Sequence, residues 1–246
     1  MRKRMLKERQ KSILEAVIRE HIRTARPVAS QELVGRYHLN VSPATVRNDM
    51  VELDELGYLE QPHTSAGRVP TDQGYRFFVD EIGVSRKILG REQALFDALF
   101  AEDEEDFFST VAKAVAHVSR GFTMVGSQKH TAFYKAGFSD VLTEPEFNDV
   151  ACARRFGELV DSIDESFAEL LSDVDFDEPH AFIGHENPIQ DARSYSMIVS
   201  SLQSPHSDET VVAILGPKRM NYHKNISVVN YLQEYGRSSN RNRKTK

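Results

Sequence analysis

Arg47 and Asn48 stand side by side near the start of a run with helical periodicity. Both side chains match the edges of bases. A guanidinium pairs bidentately with guanine O6 and N7, and a carboxamide pairs with adenine N6 and N7. Ala44 and Thr45 come just before them, and Ser42 opens the run ahead of Pro43. A second group, His63, Thr64, Ser65, Gly67 and Arg68, lies in the stretch HTSAGR. Its donors suit phosphate oxygens or a minor groove, and a glycine lets backbone approach closely. Taken alone, an arginine and an asparagine describe any solvated helix face. The elements that hold them decide between the two readings.

Upstream, Ile13, Leu14, Val17, Ile18 and Ile22 recur at helical spacing, and the pattern stops before Pro27. A short second helix follows, for which Ser30 is the expected cap, with Leu33 and Val34 inside it. Tyr37–Val41 connects it to a third helix over Pro43 to about Leu56, capped by Ser42 and ended by Gly57 in the left-handed conformation. At about 100° per residue, Val46, Met50 and Leu53 share one side of that helix. Asn48 and Ala44 lie opposite, flanked by Thr45 and Arg47. Two short helices, a turn and a third helix make a helix-turn-helix, whose last helix reads bases with its N-terminal residues. Residues 58–71 read as two short strands around a Ser-Ala-Gly tip, with Pro62 and Pro70 where edge strands tolerate them. A hairpin directly after a third helix is a wing. Thr71 then caps a further helix containing Tyr75, Phe77, Phe78 and Ile82.

The formal net charge of −6 speaks against nucleic acid until it is resolved along the chain. Residues 1–47 hold 11 Lys+Arg against 4 Asp+Glu, whereas residues 91–180 hold 7 against 20. A basic head is joined to an acidic body, and only the head suits phosphate.

The segment 41–82, VSPATVRNDMVELDELGYLEQPHTSAGRVPTDQGYRFFVDEI, closely resembles the N-terminal domain of the heat-inducible transcription repressor (HrcA) family. Shorter blocks continue in the family's order: GFSDVLTEPEF at 137–147, IGHEN at 183–187 and LGPKRMNYHKNISVVNYL at 215–232. The resemblance implies a repressor of chaperone operons that binds an inverted-repeat operator as a homodimer and is modulated by the chaperonin. It also implies a GAF-like second domain, a fold that often binds small ligands. A ligand-sensing regulator that uses a GAF-like pocket is the alternative. Family members usually carry an inserted dimerising domain in that part. Here Val125–His130 runs almost directly into Phe133–Gly137.

The body itself reads as helical over 83–120, with Glu102–Asp106 as an acidic first turn. Strands are expected at Phe122–Val125, Phe133–Ala136, Ala181–Gly184, Tyr195–Leu202 and Thr210–Leu215. A helix is expected over Glu144–Leu171, and Gln203–Asp208 is a turn-rich piece. Gly216-Pro217 turns the chain into a final helix with Tyr222, Ile226, Val229 and Leu232. Lys218 and Arg219 lack the glycine spacing of a phosphate loop and mark a structural junction. The expected fold class is α+β: a winged helix-turn-helix over 1–82, a helical linker over 83–120, a GAF-like domain over 121–236 and a basic disordered tail over 237–246.

Nothing in the sequence has the pattern of a catalytic site. His180 and His185 lack a third ligand at metal spacing. No serine sits in a GxSxG elbow, and Cys152 falls on an apolar stripe where a packed thiol is expected. A lone cysteine fits a reducing compartment, the N-terminus lacks the apolar stretch of a signal peptide, and no apolar run approaches membrane-spanning length. The expectation is a cytoplasmic, non-enzymatic regulator without cofactor or metal.

Overall fold

The computed structural model describes residues 6–64, 66–81, 88, 90–99, 107–127, 133–173, 178–202 and 210–244. The chain divides into two compact units, Met1–Gly83 and Val84–Lys246.

In the first unit, α1 (Glu8–Thr24), α2 (Ser30–Tyr37) and α3 (Pro43–Glu55) are followed by β1 (Leu59–Glu60), β2 (Val69–Pro70) and α4 (Asp72–Glu81). Ile13, Leu14, Val17 and Ile18 of α1 are buried with Leu33 of α2 and Val46, Met50 and Leu53 of α3, as their spacing requires. Helix α2 begins one residue earlier than its sequence suggests. Its N-cap is Ala29, whose backbone N–H donates to the Glu32 carboxylate at 3.4 Å, and Ser30 is already helical. Glu32, at the third helical position, reaches back to the N-cap N–H, a different donor from the one a capping serine would satisfy.

Gly57, at φ +81°, carries the chain out of α3, and its N–H donates to Asp54 O at 2.8 Å. Thr71 caps α4 as expected, accepting from Gly74 N at 3.1 Å. Its hydroxyl also donates to Gly57 O at 2.6 Å, so one side chain joins the end of α3 to the start of α4.

In the second unit, α5 (Gly90–Leu99) and α6 (Phe107–Ser119) precede a five-stranded sheet. Its strands are β3 (Phe122–Ser127), β4 (Tyr134–Ala136), β5 (His180–Ile183), β6 (Tyr195–Leu202) and β7 (Thr210–Pro217), in the order β4-β3-β7-β6-β5. Every neighbouring pair is antiparallel, which makes the fold α+β and excludes a parallel α/β sheet. One face is packed with aromatic rings. Phe147 stacks on Tyr195, and Phe156 meets Phe122, Phe147 and Tyr195 edge-on. After the short α7 (Phe138–Val141), Phe156, Leu159, Ile163 and Phe167 of α8 (Val150–Asp173) cover this face.

The helix expected over Glu144–Leu171 is broken: Pro145–Asn148 form a 3₁₀ turn, and α8 begins at Val150. Glu144 is extended because it precedes a proline, and Asp149 is extended as well, its carboxylate accepting from Ala151 N at 3.0 Å. Val150, inside the expected helix, is instead the first residue of α8 and 81% exposed. The 237–246 segment expected to be disordered is helical to Lys244, as the end of α9 (Tyr222–Lys244). A long helix already nucleated and packed extends at little cost. Gly216 and Pro217 belong to β7, so the turn into α9 falls just after them. Ser65, Gln203–Asp208 and Glu102–Asp106 lie outside the described residues.

Arg219 shows what the Lys218-Arg219 pair does. Its guanidinium meets Glu144 at 2.6 Å and Glu146 at 2.6 and 2.8 Å, and it is 8% exposed. The junction is structural.

Candidate nucleic-acid interface

Ser42 fixes the start of α3. Its hydroxyl oxygen accepts from Thr45 N at 3.2 Å, and the two hydroxyls lie 3.0 Å apart. Pro43 at the first helical position completes the cap. Ala44, Arg47 and Asn48 are exposed on the N-terminal turns, Thr45 is half-buried, and Val46, Asp49 and Met50 face inward. The face presented to solvent is the one periodicity assigned to base reading.

Two straps hold that face at a fixed attitude. Arg9 of α1 grips the buried Asp49 carboxylate through Nε at 2.7 Å and Nη2 at 3.1 Å. The Asp49 carboxylate in turn raises the pKa of the Arg9 guanidinium. One residue along, Gln10 Nε2 donates to Glu52 at 2.8 Å. Asp49 and Glu52 are a turn apart on α3, so both contacts align it against α1.

Helix α2 is held separately. Glu20, 4% exposed, meets the guanidinium of Arg23, Arg36 at 3.5 Å and the Tyr37 hydroxyl at 3.3 Å. The hydrogen bond from Arg23 holds the Glu20 carboxyl below the usual carboxylate range, against the opposing effect of burial. Arg19 pairs with Glu15 and lies over the Phe78 ring, and Arg76 pairs with Asp80. Most of the described arginines of this unit therefore already have carboxylate partners. Arg47 does not: among the described residues, no carboxylate lies within ion-pair distance of it.

The wing is equally well tied. Leu59 pairs with Pro70 and Glu60 with Val69, and an isolated bridge joins Val28 to Arg68. Val28 N donates to Arg68 O, and Arg68 N to Val28 O, both at 2.9 Å. This contact is why residue 67 is glycine. A Cβ there would lie 2.2 Å from Val28 O and 2.4 Å from Val28 C. Near the tip, Gln61 Nε2 donates to Thr64 O at 3.1 Å and to Ala66 O at 2.9 Å, bracing the exposed His63 and Thr64.

Arg68 sits at the base of the wing, 15% exposed through its side chain. Its Nε lies 2.7 Å from Asp54 Oδ2, close enough for an ion pair but without the alignment of a hydrogen bond. Between α2, α3 and the wing lies a cleft of about 220 Å³, lined by Ala29, Ser30, Arg47, Gln61, Thr64 and Arg68 among others. Arg47, Thr64, Gly67 and Arg68 thus line one concavity. Asn48 and His63 are exposed but are not among its lining residues.

Gln61, Val28 and Asp54 are parts of this arrangement that sequence reasoning passes over. No local pattern marks them, because each acts through a partner distant in sequence.

A helix-turn-helix family model described as DeoR-like matches residues 9–71. The model of the HrcA protein C-terminal domain matches residues 84–226, more than half of the chain. The chain belongs to the HrcA family. It is 39% identical over 147 residues to a heat-inducible transcription repressor HrcA of Symbiobacterium thermophilum, covering 60% of this chain and 43% of that protein. With the HrcA of Thermobifida fusca it shares 43% identity over 118 residues, 47% of this chain and 34% of that one. The chain thus spans less than half the length of these relatives where it matches them.

With the HrcA of a Thermoanaerobacter species the alignment runs over 327 positions at 25% identity, covering 92% of this chain and 95% of that protein. That alignment is longer than the 246 residues present here, so part of that HrcA has no counterpart in this chain. Among solved structures, a crystal structure described only as a hypothetical protein matches with a TM-score of 0.74 and 18% identity. It covers 95% of this chain and 99% of that one, a likeness of fold.

Among the described residues, no three His, Cys, Asp or Glu side chains group in a way that would hold a metal ion. No helix among them is long and apolar enough to cross a membrane.

Proposed function

We propose that this chain is a DNA-binding transcription repressor of the cytoplasm that controls heat-shock chaperone operons. One observation carries the reading: Arg47 stands without a carboxylate partner on the exposed N-terminal turns of a rigidly strapped third helix, beside a braced wing. In this reading α3 enters the major groove. Arg47, Asn48 and Thr45 read base edges, and Ala44 allows close approach. Ser42, His63, Thr64, Ser65, Gly67 and Arg68 set the protein on the phosphate backbone.

The operator is an inverted repeat, which calls for a homodimer with half-sites about one helical turn, or a multiple of one, apart. The names of the relatives support heat-inducible repression, and modulation by the chaperonin follows from the family resemblance. A ligand-sensing role receives less support, because the aromatic face of the sheet is filled by its own rings.

A footprint upstream of the organism's own chaperonin operon, with and without chaperonin, tests the proposal. Protection of an inverted repeat, strengthened by chaperonin, is the expected result. No protection under either condition overturns the repressor reading. Protection unaffected by chaperonin overturns only the modulation.

A further inference from the structure

We propose that Asp54 is a positioning residue for selective DNA recognition, acting through Arg68 on a cleft that Asp54 itself does not enter. The inference rests on the repressor reading. Asp54 lies seven residues after Arg47 on α3, which places the two on one face about 10 Å apart along the axis. A carboxylate on the face of a DNA-reading helix repels phosphate, and nothing in the local sequence requires an acid there. The three-dimensional arrangement supplies a reason, because Arg68 Nε is 2.7 Å from Asp54 Oδ2.

Arg68 is unusually constrained for a long cationic side chain. Its backbone is fixed on both sides by the Val28 bridge, and Gly67 brings that bridge together. The Asp54 carboxylate then anchors the guanidinium end, leaving the side chain 15% exposed along one wall of the cleft that Arg47 also lines. A cation on a free stem follows any phosphate and strengthens binding to every sequence. A cation held at both ends presents its donors at one place, so it favours a DNA whose backbone passes through that place. The negative partner also subtracts from non-specific attraction. On both counts the Asp54–Arg68 pair exchanges general affinity for selectivity.

The test uses the full chain and two duplexes of equal length, the footprinted inverted repeat and a scrambled sequence. Both are titrated by fluorescence anisotropy between about 50 and 200 mM salt. Asp54→Asn is expected to weaken binding to the inverted repeat about tenfold. It should also tighten the scrambled duplex a few-fold and steepen its salt dependence by about one unit of slope. Asp54→Glu restores the charge, and should return the scrambled affinity and slope to the wild-type values. Arg68→Lys keeps the wing cation but not the planar fork, and should lower selectivity without changing the slope. It also guards against a fold defect in the Asp54 variants, which thermal melting detects.

If Asp54→Asn shifts both duplexes by the same factor, Asp54 contributes charge alone and the proposal fails. It fails equally if neither affinity moves. A wild-type chain that does not distinguish the duplexes overturns the repressor reading, and this inference with it.

Discussion

Gly67→Ala probes the join between wing and helices, and its effect can be worked from distances. The added Cβ would meet Val28 O at 2.2 Å, Val28 C at 2.4 Å and Val28 N at 2.8 Å. All three are main-chain atoms, so no rotamer change relieves the overlap. The wing must separate from Val28, which forfeits the two 2.9 Å bonds between Val28 and Arg68 at about 1 kcal/mol each. Residual crowding adds roughly 1–2 kcal/mol. The first unit should therefore lose about 3 kcal/mol, which for a unit of this size lowers its melting temperature by roughly 12–24 °C. Gly35→Ala is the matched control. Gly35 lies inside α2 with nothing within 4 Å of an added Cβ, so the same chemical change should stabilise by roughly 0.5–1 kcal/mol. Calorimetry of the full chain reads both, together with hydrogen exchange at the Val28 and Arg68 amides. Operator affinity should fall at least about tenfold for the first variant and stay unchanged for the second. If Gly67→Ala melts within about 2 °C of wild type with those two amides still protected, the wing is not held as described.

Other perturbations separate reading from holding. Arg47→Ala should cost roughly 1–3 kcal/mol on the inverted repeat and little on scrambled DNA, measured by anisotropy titration. Ser42→Ala removes the cap of α3 and should lower stability by about 1 kcal/mol in a urea titration. Glu20 carries a pH dependence whose sign follows from its lowered pKa. A carboxyl that is more acidic folded than unfolded stabilises above the unfolded value of about 4.3, and that contribution is lost as pH falls through the folded value. The urea midpoint should thus drop as pH falls below the unfolded value of about 4.3 in the wild type, and less so in Glu20→Gln. In the second unit, Arg219→Ala leaves the Glu144 and Glu146 carboxylates facing each other without their cation. It should cost about 3–5 kcal/mol, whereas a lysine at 219 should recover part of that.

The helices and their facing were legible because periodicity and capping act within a few residues. Ser42 and Pro43 begin α3, Val46, Met50 and Leu53 turn inward, and Gly57 ends the helix, each by a mechanism local to its own turn. The strands of the second unit were also placed to within about two residues, since alternation and turn residues are local signals. Their common antiparallel pairing was not readable, because strand direction depends on which segments meet. The errors have the same origin. Glu32 reaches back to the Ala29 N–H and lets α2 start at Ser30 itself, and Pro145 interrupts a helix whose hydrophobic stripe runs on regardless.

Charge shows the same division between composition and placement. The excess of basic residues over 1–47 was visible by counting and falls in the end of the chain that the helix-turn-helix model matches. Counting does not show how that charge is used. Arg9 holds Asp49, Arg23 and Arg36 hold Glu20, Arg19 holds Glu15 and Lys11 holds Glu8. Each pair joins or stiffens helices and largely cancels its own field a few ångströms away. Five of the 11 are committed in this way, so the charge that remains for an external anion is smaller than the count, and Arg47 on the exposed face of α3 is part of it. A head arranged in this way should bind DNA with a modest salt slope for so basic a segment. A slope approaching the full 11 basic residues of 1–47 would mean that these ion pairs open on binding, and that the straps described here do not persist on DNA.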